Sequence, residues 1–111
     1  MTSCVFCQII AGDLAATVVY QDEHILAFWD QAPKAPVHLL VVPRKHIKNL
    51  DDLQVGDETL ISHLMMKIPD IARNNKLSGG YRTLTNTGRG GHQEIYHMHF
   101  HLLGGGELPA L

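Results

Sequence analysis

Several things are scarce in this chain of 111 residues, and each scarcity narrows what it does. Only two cysteines occur, Cys4 and Cys7, too few for a disulfide-stapled secreted scaffold. No apolar run reaches the length of a signal peptide or a membrane span. Positive charge is scarce too, since 9 Lys and Arg against 11 Asp and Glu leave a net charge of −2. Without a basic field, neither a nucleic-acid duplex nor an anionic membrane is an expected partner. These features predict a cytoplasmic protein built as one domain over residues 1–111, long enough for a single modest core.

Histidine, by contrast, is abundant, with eight in the chain. Three of them alternate with apolar residues in His97-Met98-His99-Phe100-His101-Leu102-Leu103. In a strand this spacing puts His97, His99 and His101 on one face and Met98, Phe100 and Leu102 on the other, so one face packs and the other presents chemistry. Imidazole titrates near neutrality and serves as nucleophile, acid or base, which suits group transfer to phosphorus. Such a face could also ligate zinc or iron. His24 and His63 fall among polar or helical positions and are expected to matter little.

The flanking sequence predicts an α+β arrangement. Val5, Phe6, Ile9 and Ile10 at helical spacing end at Ala11-Gly12-Asp13, giving a short helix. Residues 17–20 and 25–29 form a hairpin around Gln21-Asp22-Glu23-His24, and a proline loop at 30–36 leads into a central apolar strand over 38–43. A long helix is expected from about 56 to 75, with Asp57 as N-cap, a kink or break at Pro69, and a close at Gly79-Gly80. A fourth strand spans 81–86, the segment 87–92 is a glycine-rich loop, and the histidine strand is fifth. Either mobility or a cradle of backbone N–H groups for phosphate accounts for that loop.

On these residues the chain resembles the histidine-triad (HIT) family, whose signature is His-φ-His-φ-His-φ-φ with φ apolar. The segments Asp30 to His38, Val42 to Ile47, Asn86 and Gly91 to Tyr96 resemble its Hint branch, the purine nucleoside phosphoramidases, and the likeness runs from about residue 5 to 106. The resemblance implies a five-stranded antiparallel sheet with one short and one long helix, and a homodimer that joins two such sheets. It implies hydrolysis of purine nucleoside phosphoramidates or aminoacyl-adenylates, with His99 as nucleophile. His38, His97 and His101 complete the catalytic set, with His38 and His101 orienting and protonating, and no cofactor is required. It also places Val5, Phe6, Ile9 and Phe28 around the base and Asp30 on the ribose. Asn86, Gln93 and Glu94 then surround the phosphate or leaving group. Asp30 serves equally as a cap of the proline loop, and Phe6 and Phe28 equally as core.

Two departures bear on base selectivity: Gln31 stands where the branch usually has isoleucine, and Trp29 replaces a common histidine. His101 stands where the transferase branch has glutamine, which favours hydrolysis. The tail from Gly104 to Leu111 is shorter than many in the branch, with an expected effect on substrate preference. Some HIT proteins hold a structural zinc, and the corresponding ligands here are Cys4, Cys7, His46 and His97, a Cys2His2 set. Three rival readings stand beside the phosphoramidase. They are a dinucleoside polyphosphate hydrolase, a metal enzyme built on His97, His99 and His101, and a non-catalytic nucleotide-binding interaction protein.

Overall fold

A computed structural model describes residues 3–111. The first helix, α1 (Val5–Ala11), is followed by strands β1 (Val18–Gln21), β2 (Ile25–Trp29) and β3 (Val37–Pro43). Two 3₁₀ turns, Leu50–Asp52 and Val55–Asp57, precede the long helix α2 (Glu58–Asn74), and β4 (Tyr81–Leu84) and β5 (Phe100–Gly104) complete the chain. The strands form one antiparallel sheet in the order β1-β2-β3-β5-β4. No helix among the described residues is long and apolar enough to cross a membrane.

Alternation divides the strands between two faces. Ile25 and Ala27 of β2, Leu39 and Val41 of β3, and Phe100 and Leu102 of β5 pack with Leu64, Ile68, Ile71 and Ala72 of α2. Leu26, Phe28, Leu40 and Val42 point the other way and pack against Phe6 and Ile9 of α1. The short helix covers only part of this second face, and the functional side chains occupy the rest.

Local chemistry explains where the elements stop. Gly12, at φ 83°, takes the left-handed position that ends α1, and its N–H donates to the Gln8 and Ile9 carbonyls. The helix α2 runs through Pro69 without dividing into two elements. The partner Pro69 would have had is the carbonyl of Met65, an exposed residue where water can serve instead. Asp57 stands just before α2 as expected, but its carboxylate accepts the Gln54 N–H and closes the preceding 3₁₀ turn. The far end of α2 differs from expectation, since it closes at Asn75 and Lys76 and not at Gly79-Gly80. The Asn75 amide donates to the Ile71 carbonyl, Lys76 adopts the left-handed conformation at φ 65°, and the Leu77 N–H reaches the Ala72 carbonyl. Asparagine and a tolerated left-handed lysine thus do the capping, and the glycines serve the turn into β4.

The histidine strand is shorter than its pattern suggests, because β5 begins at Phe100 and only His101 of the triad lies in the ladder. Pro43 ends β3 with no N–H to give, so the segment carrying His97 and His99 leaves the ladder there. The Met98 N–H donates to the Ile47 carbonyl at 2.7 Å. The alternation persists all the same, with Met98 in the α2 core and the His97 and His99 rings against Phe6. His24 and His63 also have a role. Asp22 accepts from His63 Nε2, from the Tyr20 hydroxyl and from the His24 and Ile25 N–H groups, which ties the β1–β2 turn to α2.

Candidate active site

Strand register brings the first part of the site together. His38 on β3 lies opposite Leu103, and His101 on β5 lies opposite Leu40, so the two imidazoles are diagonal neighbours on the face that α1 leaves open. His38 Nε2 and His101 Nδ1 are 2.9 Å apart. The Lys34 N–H donates to His38 Nδ1 at 3.0 Å, so a neutral His38 carries its proton on Nε2 and donates it to His101. Neutral His101 therefore keeps its own proton on Nε2, the nitrogen turned away from His38. Asp30 is placed by its N–H bond to the His38 carbonyl. One of its carboxylate oxygens caps the proline loop at the Ala32 N–H, and the other lies 3.5 Å from His38 Nε2. The capping reading of Asp30 therefore holds, and its second oxygen stands beside the histidine pair.

His99 is fixed by a different set of contacts. Its Nδ1–H donates to the His97 carbonyl at 2.8 Å, and the Thr85 hydroxyl donates to the His99 carbonyl at 2.7 Å. Phe6 stands edge-on to its ring at 5.0 Å, and the His101 ring is also 5.0 Å away. With Nδ1 committed to the backbone, Nε2 holds the lone pair of a ring that is 7% exposed. Burial lowers the proton affinity of His38, His99 and His101 below the ordinary imidazole value. For His101 burial acts together with neighbouring His99 and His38 and brings the value to about 4. At neutral pH the site therefore holds uncharged imidazoles, the form a nucleophile needs.

These rings border two adjoining hollows. The apolar one, of about 280 Å³, is lined by Val5, Phe6, Ile9 and Phe28, and also by Trp29, Gln31, Leu40 and Ile95. The polar one, of about 290 Å³, takes Lys34, His38, Asn86 and His92. Asp30, Glu94, His99 and His101 border both. An apolar hollow thus adjoins a polar one, with the imidazoles of His99 and His101 bordering both.

Gln93 lies elsewhere. It is buried and lines neither hollow. Its amide N–H groups donate to the Lys48 and Ile95 carbonyls, and its oxygen accepts from the Asn49 amide and the Gly88 N–H. All four of its hydrogen-bonding positions are used, so it holds the glycine-rich loop in place. That loop is built tightly. A Cβ on Gly91 would come within 2.6 Å of the Thr87 carbonyl oxygen, and the N–H groups of Gly88, His92 and Gln93 are spent within the loop. His92, at φ 64°, projects beside Glu94 at 3.2 Å. His92, Lys34 and Thr85 are site residues that pattern reasoning missed. A histidine closing a glycine-rich loop was the available signal for the first.

His97 turns away from the other two triad rings. Its Nε2–H donates to the Pro43 carbonyl at 2.8 Å, which leaves the lone pair on Nδ1. That nitrogen faces Cys4 Sγ at 3.4 Å, Cys7 Sγ at 3.6 Å and His46 Nδ1 at 3.1 Å. Cys7 Sγ lies 3.3 Å from His46 Nδ1. One lone pair cannot satisfy three neighbours, and this convergence suits a cation. With zinc–nitrogen and zinc–sulfur bonds of about 2.0 and 2.3 Å, the edges of a tetrahedral site are about 3.3 Å between nitrogens and about 3.5 Å between nitrogen and sulfur. The four ligand atoms fit. Conversely, His97, His99 and His101 form no common set among the described residues. The one other such group among the described residues is Asp30, His38 and His101, in which His38 already donates to His101 and the Asp30 carboxylate stands 3.5 Å from His38 Nε2.

Known proteins share this architecture. The family model described as scavenger mRNA decapping enzyme C-terminal binding matches residues 3–107. Protein HitA of Neisseria gonorrhoeae is 40% identical over 104 residues, which cover 94% of this chain and 97% of that protein. A histidine triad protein from Clostridium difficile superposes with a TM-score of 0.95 at 39% identity, covering 100% of this chain and 97% of that one. A HIT family hydrolase from Legionella pneumophila does so with a TM-score of 0.92 at 42% identity, covering 96% of each. A five-stranded sheet with a short and a long helix, a His-φ-His-φ-His run beside it and these relatives agree, and the chain belongs to the histidine-triad family.

Proposed function

We propose that this protein hydrolyses purine nucleoside phosphoramidates or aminoacyl-adenylates through a nucleotidyl intermediate on His99. The observation that carries the reading is the tautomer lock, in which Nδ1–H of His99 donates to the His97 carbonyl and leaves Nε2 as a buried, uncharged nucleophile between the two hollows. The base lies in the slot of Phe6, Ile9 and Phe28, with the Gln31 amide at its edge. Asp30 meets the ribose hydroxyls, and the leaving group points toward Asn86, His92 and Glu94.

His99 Nε2 attacks phosphorus. The P–N bond breaks with its electron pair on nitrogen, which takes the Nε2 proton of His101 in the pair that substrate binding has protonated and leaves that pair neutral. Water then attacks the nucleotidyl phosphorus, gives its proton to His101 and releases the nucleoside monophosphate and His99. The substrate's phosphate charge opposes the burial that lowers the imidazoles, so proton uptake accompanies binding.

Cys4, Cys7, His46 and His97 would hold a structural zinc, which supplies a cross-link between α1 and the triad segment. The homodimer is part of the same reading and is supported by the open sheet edge at β4 and by the exposed Tyr81, Met65 and Met66. Cytoplasmic location is consistent with two cysteines in a ligand set rather than in a bridge.

Rapid-quench mass spectrometry with an adenosine phosphoramidate tests the assignment. A mass gain of one adenylyl group on His99, absent in His99→Ala while AMP still binds, is the expected result. A wild-type protein that binds AMP and turns over no phosphoramidate overturns it. Faster turnover of a dinucleoside polyphosphate would move the reading to that substrate class.

A further inference from the structure

The Cys4–Cys7–His46–His97 group lies outside the nucleotide slot, yet two short paths connect it to the reacting atoms. The first runs through His97. Its ring is held between the cluster and the Pro43 carbonyl, and its own carbonyl accepts the Nδ1–H of His99 at 2.8 Å. Moving the His97 ring therefore moves the group that fixes the nucleophile's tautomer. The second runs through α1. Cys4 and Cys7 bracket Phe6, whose ring stands 5.0 Å from that of His99, 5.9 Å from that of His97 and 5.5 Å from that of Phe28. Phe6 is also a wall of the slot, with Val5 and Ile9 on the same helix. At seven residues, α1 is far below the length at which a helix holds its own shape, so its position depends on what anchors it. Its anchors are the apolar contacts of Phe6 and Ile9 and the two thiols of its first turn.

We infer that loading this cluster with a thiophilic divalent cation clamps α1 and His97 in the nucleotide-binding arrangement, so that cluster occupancy and nucleotide affinity are coupled. Phe6 and His97 are the positioning residues of that coupling. The inference rests on the zinc set and the nucleotide slot assigned above. It goes beyond a structural metal because a cross-link that only stabilised the fold would not need to report to the slot.

Linkage makes the coupling measurable in both directions, since the factor by which zinc tightens AMP is the factor by which AMP tightens zinc, here expected at about tenfold. The experiment is calorimetric titration of AMP into zinc-loaded and chelator-stripped protein, with competition titration of zinc in the presence and absence of AMP. Histidine 15N spectra of both forms report the His99 tautomer. Expected are equal factors in the two titrations, loss of the single Nδ1–H tautomer of His99 on stripping, and recovery of both when zinc is returned. Cys7→Ser should resemble the stripped form and not respond to zinc. His46→Ala, which removes an exposed ligand without opening the core, should raise the zinc concentration needed for full AMP affinity, and it keeps the test alive if the stripped protein unfolds.

Stripping that lowers the melting temperature yet leaves AMP affinity and the His99 tautomer unchanged overturns the clamp and leaves a purely structural metal. Failure to bind zinc while AMP binds normally overturns it as well and leaves the slot standing. Failure of the loaded protein to bind AMP overturns the slot and the clamp together.

Discussion

The two faces of the sheet use burial for opposite ends. On the α2 face, Ile25, Leu39, Val41 and Leu102 meet Leu64 and Ile71, and removing apolar surface from water stabilises the fold. On the α1 face, Leu26, Phe28, Leu40 and Val42 form a smaller apolar patch beside His38, His99 and His101. There burial keeps imidazoles uncharged at a cost in stability, because each would otherwise be solvated and free to take a proton. One period-2 pattern along β3 and β5 thus serves structure with its odd residues and chemistry with its even ones in β3, and the reverse in β5.

Substitutions on the two faces should therefore separate stability from activity. His99→Ala should lower phosphoramidate turnover by on the order of 10,000-fold, while the denaturation midpoint moves little. Next, His101→Ala should cost about 100- to 1,000-fold in turnover as loss of the proton donor, with the loss falling on kcat. On the other face, Leu64→Ala should destabilise by about 3 kcal/mol through the cavity it leaves, and activity per folded molecule should be retained. A leucine substitution that cut turnover per folded molecule as deeply as His101→Ala would show that the faces are not independent. Asp22→Asn, which weakens the tie between the β1–β2 turn and α2, should cost about 1–2 kcal/mol of stability and leave turnover alone.

Acid should resolve the faces as well. His101 has a folded value of about 4 against an ordinary value of about 6.5, so the unfolded chain binds more protons between these limits. Stability contributed by the site face therefore falls as pH drops from about 6.5 to 4, and His101→Gln should flatten that part of the curve. Asp22 behaves differently. Burial pushes its carboxyl up, but bonds from Tyr20, the His24 N–H, His63 and the Ile25 N–H outweigh it and hold the group well below the usual carboxylate range. Its contribution is present above an unfolded value of about 4 and is lost only as pH falls below that. Denaturation midpoints from pH 7 to pH 3 should show the two losses in that order.

Where side-chain pattern decides structure, the sequence was readable. The bounds of α1 and β2, and the division of residues 97–102 between two faces, follow from apolar spacing and a terminal glycine. What it hid depends on contacts between distant residues. The early end of the β5 ladder comes from Pro43, more than fifty positions earlier, meeting the segment of His97. The end of α2 is set by an Asn75 side chain and a left-handed Lys76, which no propensity favours over the glycines that follow. The family resemblance sets Gln93 around the phosphate or leaving group, and only its four partners show its side chain saturated. The Cys-x-x-Cys pair alone gives half of a ligand set, the resemblance names His46 and His97 as the other half, and the fold brings the four ligand atoms together.

For anyone wishing to retarget this protein, the loop beside the polar hollow already separates scaffold from variable positions. Gly88, Gly91 and Gln93 carry its turn, its closest backbone approach and its internal bonds, so randomising them would destroy the frame. Arg89, Gly90 and His92 are exposed, and of these three His92 alone lines the polar hollow. A library at His92 limited to residues that tolerate its left-handed backbone would change the lining of that hollow without asking the chain to refold.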